Sequence, residues 1–252
     1  MDVFFSDLDN TLIYSHRYHF HKDIIPVEYL NGREQSFMTR TTWDTLVNLT
    51  GFNLVPVSTR TEAQYFRLIC MEELHPKYTL ICNGGKLLID GKEDKLWTDE
   101  TNQITASNLK SLKKAVDEII KISPGSEVHS PEQYMHYVSV KLPDKVRRDL
   151  TGKINTDEVE VRCDRRKVYL FSKGVNKGQA VRRFMARFDV ENTIAAGDNE
   201  MDIAMLNEVG FALAAEEIFP DITAPRKIKL VGEDYSSQIC EVLKNIVNEG
   251  KI

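Results

Sequence analysis

A pair of carboxylates two residues apart, at the end of a short apolar run, restricts this chain more than any other feature. The run is Val3-Phe4-Phe5, and the pair is Asp7 and Asp9 in Asp7-Leu8-Asp9-Asn10-Thr11-Leu12. Residues i and i+2 of a strand point to the same side. Open α/β sheets bind their ligands beyond the carboxyl ends of their strands. The two side chains are therefore expected to project together into a crevice, where adjacent negative charges need a cation or a shared proton. A surface strand ending in an acidic turn is the plainer reading of a lone Asp-x-Asp, and the rest of the chain displaces it.

Three further segments answer the first, in a fixed order. The apolar run Asn53 to Val57 ends at Ser58-Thr59-Arg60-Thr61, a strand delivering hydroxyls to its own carboxyl end. Lys177 lies in Gly174-Val175-Asn176-Lys177-Gly178, just before a helical pattern from Gln179 to Phe188. Thr193-Ile194-Ala195-Ala196 then runs into Gly197-Asp198-Asn199-Glu200-Met201-Asp202, a second strand ending in acid. Carboxylates, hydroxyl and lysine form an inventory for a hard cation and a phosphoryl group. Magnesium takes oxygen ligands, usually few carboxylates, and keeps waters and phosphate oxygens. The hydroxyl and the ammonium can donate to the other phosphate oxygens.

On these residues the chain resembles the haloacid dehalogenase superfamily of phosphohydrolases over nearly its whole length. Asp7 to Leu12 is similar to that family's first motif, Ser58 to its second, Lys177 to its third, and Gly197-Asp198 with Asp202 to its fourth. The resemblance implies a Rossmann-like parallel-sheet α/β core and a Mg2+ cofactor. Asp7 would be the nucleophile that becomes aspartyl-phosphate. Asp9 would be the general acid and base, kept protonated by its carboxylate neighbours, with its main-chain carbonyl on the metal. Asp7, Asp9 and Asp198 would be the metal ligands, with Asn199 and Asp202 behind them. Asn10, Thr11, Ser58, Thr59, Arg60 and Lys177 would hold the substrate phosphate.

Three positions depart from the family pattern. Asn10 stands where many members have Gly, and Asn tolerates left-handed dihedrals, so it reads as a turn substitute. Ser58-Thr59-Arg60 replaces Thr-Gly-Arg; Ser58 is preferred as the phosphate hydroxyl because Arg60 then falls on the basic position. Met201 replaces a common Asn and bears on the metal's surroundings, not on the reaction class.

The organisation follows from changes in periodicity. Strands and helices alternate up to Asn83-Gly84-Gly85. Ser107 to Ile122 then carries a helical stripe, Tyr137 to Leu142 alternates as a strand, Asp144 to Gly152 reads as a short helix, and Glu158–Arg162 and Lys167–Phe171 read as two strands. That order suggests an antiparallel sheet with helices on one face. The expected division is a catalytic core of residues 1–85 and 173–252, with a smaller α+β domain of residues 86–172 inserted between the second and third motifs. This insertion resembles the type-2 cap of subfamily IIB, which includes sucrose-phosphate and mannosyl-phosphoglycerate phosphatases. Arg162, Arg165 and Arg166 on it could grip a second anion, or form a solvated hairpin tip.

Two segments near the first motif stay open. Ile24–Leu30 and Arg33–Thr39 flank Asn31-Gly32, a strong hairpin signal, which either overhangs the site or is a surface elaboration. Thr41 or Thr42 is expected to cap a helix starting near Trp43. His16, His19 and His21 invite a zinc reading, but a structural zinc site needs four ligands, and partly exposed loop histidines are the simpler account.

At 252 residues and 42% hydrophobic, the chain can bury a real core. A net charge of −5 gives no electrostatic case for nucleic acid or an anionic membrane. No apolar run approaches a membrane span, and no secretory signal is visible. Cys70, Cys82, Cys163 and Cys240 fit neither a metal site nor a disulfide framework, so a reduced cytoplasmic protein is expected. The reaction expected is magnesium-dependent hydrolysis of a small, phosphosugar-like metabolite. The alternatives are a phosphomutase of the phosphomannomutase type and a non-catalytic phosphometabolite-binding module. Neither the metabolite nor the oligomeric state is legible in the sequence.

Overall fold

The computed structural model describes residues 1–15, 23–154, 156–164 and 167–249. His16, His19, His21, Arg165 and Arg166 lie outside them. The described residues divide into two compact units, Met1–Asp94 with Lys177–Ile252 and Lys95–Asn176.

The first unit is built on a five-stranded parallel sheet. Its spatial order is Arg226–Leu230, Phe211–Ala215, Thr193–Gly197, Val3–Ser6, Asn53–Pro56. Val3–Ser6 and Phe211–Ala215 are buried at every position, as strands covered on both faces must be, and so read as unbroken apolar runs. Register is set by Phe5 opposite both Val55 and Ala195. Phe184, on the helix Lys177–Arg187, meets Phe5 edge-on at 5.5 Å and Tyr78 at 5.2 Å. Each buried aromatic of this kind stabilises the fold by about 1.5–3 kcal/mol.

Two glycines permit close approach around the later motifs. A Cβ on Gly178 would lie 2.5 Å from the Ala204 carbonyl oxygen, which is fixed backbone. One on Gly197 would overlap the Cβ of Asp202. Side chains at these positions would push apart the segments that carry Lys177 and Asp202.

Ile24–Leu30 and Arg33–Thr39 form the expected hairpin, joined by Asn31 and Gly32 with φ of +52° and +73°, the left-handed pair that a tight two-residue hairpin turn requires. Tyr14–Ser15 adds a third strand. The following helix runs Arg40–Val47, and its N-cap is Thr39, whose Oγ1 accepts from the Thr42 N–H at 3.2 Å. This corrects the expected cap at Thr41 or Thr42: the hairpin's last residue caps the helix directly, with no linker between them.

The second unit is a four-stranded antiparallel sheet, ordered Val159–Asp164, Lys167–Ser172, Met135–Ser139, Glu127–Glu132. The helices Leu109–Ile122 and Asp144–Ile154 cover one face, with Leu112, Ile119, Leu150 and Ile154 packed on Val161, Val168 and Leu170. The boundaries fall at 94/95 and 176/177, not at 85/86 and 172/173. Lys86–Ile89 pairs antiparallel with Tyr78–Ile81, which ties the segment after Gly85 to the first unit.

Among the described residues no helix is long and apolar enough to cross a membrane. The four cysteines, all among the described residues, form no disulfide.

Candidate active site

Asp7 directly follows the strand Val3–Ser6, which lies between Thr193–Gly197 and Asn53–Pro56. Its N–H donates to the Ala196 carbonyl at 3.0 Å, extending the pairing with the neighbouring strand by one residue. The chain then turns at once, because the Leu8 carbonyl accepts from the N–H groups of Thr11, Leu12 and Ile13 at 2.9–3.3 Å. Asn10 sits in this turn with φ of +66°, the left-handed conformation for which Asn substitutes for Gly.

Lys177 is 1% exposed and holds the site together. Its Nζ donates to Asp7 Oδ1 and to Asp202 Oδ1, both at 2.5 Å. It opens the helix Lys177–Arg187, the end where a cation is disfavoured by the helix dipole. The two carboxylates, not local helix stability, account for a lysine there. Burial works against its charge, but Asp202 and Asp7 outweigh that and raise its proton affinity.

Asp202 is fully buried and uses both oxygens. Oδ1 accepts from Lys177, and Oδ2 accepts from the N–H groups of Asp198 and Asn199 at 3.0 and 3.1 Å. It thus shapes the loop that presents Asp198. Asn199 Nδ2 donates to Asp198 Oδ1 at 2.9 Å, and Asn199 Oδ1 accepts from the Met201 N–H at 2.9 Å. The loop uses the backbone of Met201, which any residue would supply.

Asp7, Asp198 and Asp202 bring carboxylate oxygens within 4.8 Å of one another. The buried Thr11 bridges two of them, its Oγ1 lying 3.4 Å from Asp7 Oδ2 and 3.5 Å from Asp198 Oδ1. Burial raises the pKa of Asp7; Lys177 offsets part of this, while Asp202 and Asp9 add to it. Burial likewise raises Asp198, with Asp7 and Asp202 reinforcing it. One ammonium does not neutralise this cluster. An oxygen-only set with surplus negative charge fits a hard divalent cation, and Asp7 and Asp198 keep oxygens to offer it while Asp202 does not.

Ser58 and Thr59 follow the Asn53–Pro56 strand. Ser58 is 1% exposed, and its Oγ accepts from the Arg60 N–H at 3.1 Å. Arg60 is engaged differently from its expected place on the phosphate. Its Nε and Nη2 reach the two Asp9 oxygens at 2.8 Å each, its Nη2 also reaches Glu28 Oε2 at 3.0 Å, and its Nη1 reaches the Gln64 carbonyl at 3.1 Å. The Asp9 carboxyl group is therefore drawn toward Arg60 and stands apart from the acidic cluster.

Glu28 escaped the sequence reading. It is a buried acid on the hairpin, where the pairing register shifts on either side of it. Such a bulge re-aims a side chain, so strict alternation cannot show which way Glu28 points. In the second unit, Arg162 Nε donates to Glu160 Oε1 at 2.9 Å, which accounts for one of the three arginines considered for a second anion.

Residues 61–224 match the haloacid dehalogenase-like hydrolase family. The chain is 30% identical over 196 residues to a phosphoglycolate phosphatase from Sulfurisphaera tokodaii, covering 77% of this chain and 79% of that protein. Among solved structures, the sucrose-phosphatase of Synechocystis sp. PCC6803, in complex with sucrose and phosphate, aligns with a TM-score of 0.66 at 15% identity, over 98% of this chain and 97% of that one. A haloacid dehalogenase subclass IIB sugar phosphatase aligns over the whole of both chains, with a TM-score of 0.62 at 13% identity. The trehalose-6-phosphate phosphatase of Aspergillus fumigatus aligns with a TM-score of 0.55 at 12% identity, over 97% and 92% of the two chains.

Proposed function

The chain belongs to the haloacid dehalogenase-like hydrolases, and from that premise we propose that this phosphatase is magnesium-dependent and hydrolyses a small, sugar-like phosphate ester through a phosphoryl group carried on Asp7. The observation that carries the reading is Lys177 Nζ, buried between Asp7 and Asp202 at 2.5 Å from each, with Asp198 in the same cluster.

Asp7 and Asp198 would hold Mg2+, which supplies charge neutralisation for the incoming phosphate. An Asp7 oxygen attacks phosphorus as the ester P–O bond breaks, and Asp9 gives its proton to the departing oxygen. Asp9 then takes a proton from water while the water oxygen bonds to phosphorus and the Asp7 O–P bond breaks. Inorganic phosphate leaves, and the proton taken from water restores Asp9 to its starting state. Thr11, Ser58 and Lys177 are the donors for the phosphate oxygens. A preorganised buried donor of this kind needs no rearrangement as charge develops.

Support for a ring-bearing leaving group comes from residues 95–176, the substrate-selecting cap in this proposal. On the sheet face away from the helices, His129, Tyr137, Tyr169 and Phe171 follow one another at centroid separations of 4.5, 5.7 and 5.9 Å. Lys167 Nζ lies 5.0 Å from the Tyr137 ring centroid. Of these, His129, Tyr137 and Lys167 are partly exposed and offer aromatic faces and a cation that suit a polyhydroxylated ring, while Tyr169 and Phe171 are buried.

A panel of phosphate esters, assayed by phosphate release, tests the substrate class; sugar phosphates should exceed phosphoglycolate in kcat/KM, and the reverse order would overturn it. Asp9→Asn should lower kcat/KM for an alkyl ester on the order of 10²-fold, and for an activated aryl ester much less. An equal loss on both would remove Asp9 as the acid.

Chelation should abolish turnover and magnesium restore it, with calcium a poor substitute because its coordination shell is larger and looser. A stability measurement adds a second readout. Asp7 and Asp198 bind protons more tightly in the metal-free fold than in the unfolded chain. That fold therefore loses stability as pH rises above the ordinary carboxylate range. Magnesium competes for the same oxygens, so it should raise the melting temperature more at about pH 8 than at about pH 5. Equal increments at the two pH values would exclude these carboxylates as its ligands.

A further inference from the structure

Glu28 lies outside every motif, yet it is 3% exposed and fully engaged. Its Oε2 accepts from Ser36 Oγ at 2.6 Å and from Arg60 Nη2 at 3.0 Å, and its Oε1 accepts from Arg67 Nε at 3.0 Å. Burial would favour the neutral acid, but the two arginines and Ser36 outweigh it and hold the group below the usual carboxylate range. The Nη2 that Glu28 fixes is one of the two Arg60 nitrogens that clasp Asp9.

Desolvation does not explain this clasp. The Asp9 side chain is 48% exposed, while that of Arg60 is 9% exposed, so water alone could satisfy Asp9. Arg67 already ties Glu28, and with it the hairpin, to the segment beyond Arg60. What Glu28 adds is orientation. A planar guanidinium presents its forked edge to a carboxylate only when its plane is fixed, and Glu28 and the Gln64 carbonyl fix it from the far side.

We propose that Glu28 is a positioning residue for phosphoryl transfer, setting through Arg60 where the Asp9 carboxyl group stands. The proposal rests on the reading of Asp9 as acid and base. In the working enzyme one Asp9 oxygen keeps its Arg60 bond while the other carries the proton to the ester oxygen. A loosened Arg60 spoils that delivery without changing how the phosphate is bound.

The test compares glycerol phosphate, which needs a protonated leaving group, with dinitrophenyl phosphate, which does not, on the magnesium-loaded enzyme. Glu28→Gln keeps the side-chain volume but can accept from only one arginine. It should lower kcat/KM, a quantity that ends before the shared water step, about tenfold on glycerol phosphate and leave it within about twofold on dinitrophenyl phosphate. Combined with Asp9→Asn it should add nothing further. Arg60→Lys keeps the charge without the planar fork and should show the same split, which preserves the test if Glu28→Gln fails to fold. Equal losses on both substrates would make Glu28 a purely structural residue, and no loss on either would free Asp9 from it; each overturns the proposal. If Asp9→Asn shows no leaving-group dependence, the acid–base reading falls instead, and this proposal with it.

Discussion

Asp7→Asn should abolish turnover and leave the fold intact. The amide has nearly the size of the carboxylate and keeps one oxygen to accept from Lys177, which lies 2.5 Å from Asp7 Oδ1. Its NH2 would take the place of Oδ2, facing the Thr11 hydroxyl at 3.4 Å, and a hydroxyl can accept as well as donate. Nothing in this 4% exposed position needs to move. The chemistry does not survive, because an amide oxygen is a poor nucleophile toward phosphorus, and loss of a nucleophile costs roughly 10⁴-fold or more in rate. Stability should hold or rise, since one negative charge is removed from a buried cluster whose Asp7 and Asp198 already resist ionisation. Steady-state kinetics, thermal melts and intact-protein mass after acid quench check the three parts. The quenched wild-type protein should carry a phosphate adduct that the variant lacks. Substantial turnover by a pure, folded variant would exclude Asp7 as the attacking group.

The parts of this site that are legible in the sequence are those where a strand end dictates direction. Asp7, Ser58 and Asp198 each follow a strand of the parallel sheet, so chain order alone places them at one edge. Asn10 was readable for a different reason, since few residues tolerate its φ of +66°. Glu28 was hidden because a bulge breaks the alternation that assigns faces. The partner of Arg60 was hidden because a position in a motif says where a guanidinium starts and not which carboxylate it reaches. The strand Glu127–Glu132 went unseen as well. Glu-Val-His-Ser-Pro-Glu is polar and contains a proline, as suits an edge strand, and nothing in such a run announces pairing. The helix Lys95–Thr105 was also missed, and the early boundary at residue 85 followed from reading a turn as a domain end when it joins two paired strands.

Lys177→Met separates the lysine's part in stability from its part in catalysis. Methionine follows the lysine's length but brings no charge, so Asp7 and Asp202 lose a partner that stands 2.5 Å from both. All three groups are nearly fully buried, and stripping one member from a buried ion pair costs about 3–5 kcal/mol, because the charge left behind has neither water nor partner. The carboxylates can escape part of that cost by taking up protons. Proton uptake is easier in the folded variant than in the unfolded chain, so the variant's deficit relative to wild type should grow as pH rises above the ordinary carboxylate range and shrink in acid. Urea denaturation with chelator present, at about pH 5 and about pH 8, reads this directly as a pH-dependent shift in midpoint at constant slope. Turnover should fall roughly 10³-fold even where the variant is folded, because a donor aimed at the developing phosphate charge is gone. Arginine should not restore it, since a planar guanidinium cannot occupy the point position of an ammonium gripped from two sides. A small deficit that is the same at both pH values would mean that Lys177 does not neutralise these carboxylates. The charge argument for the site would then have to rest on the metal alone.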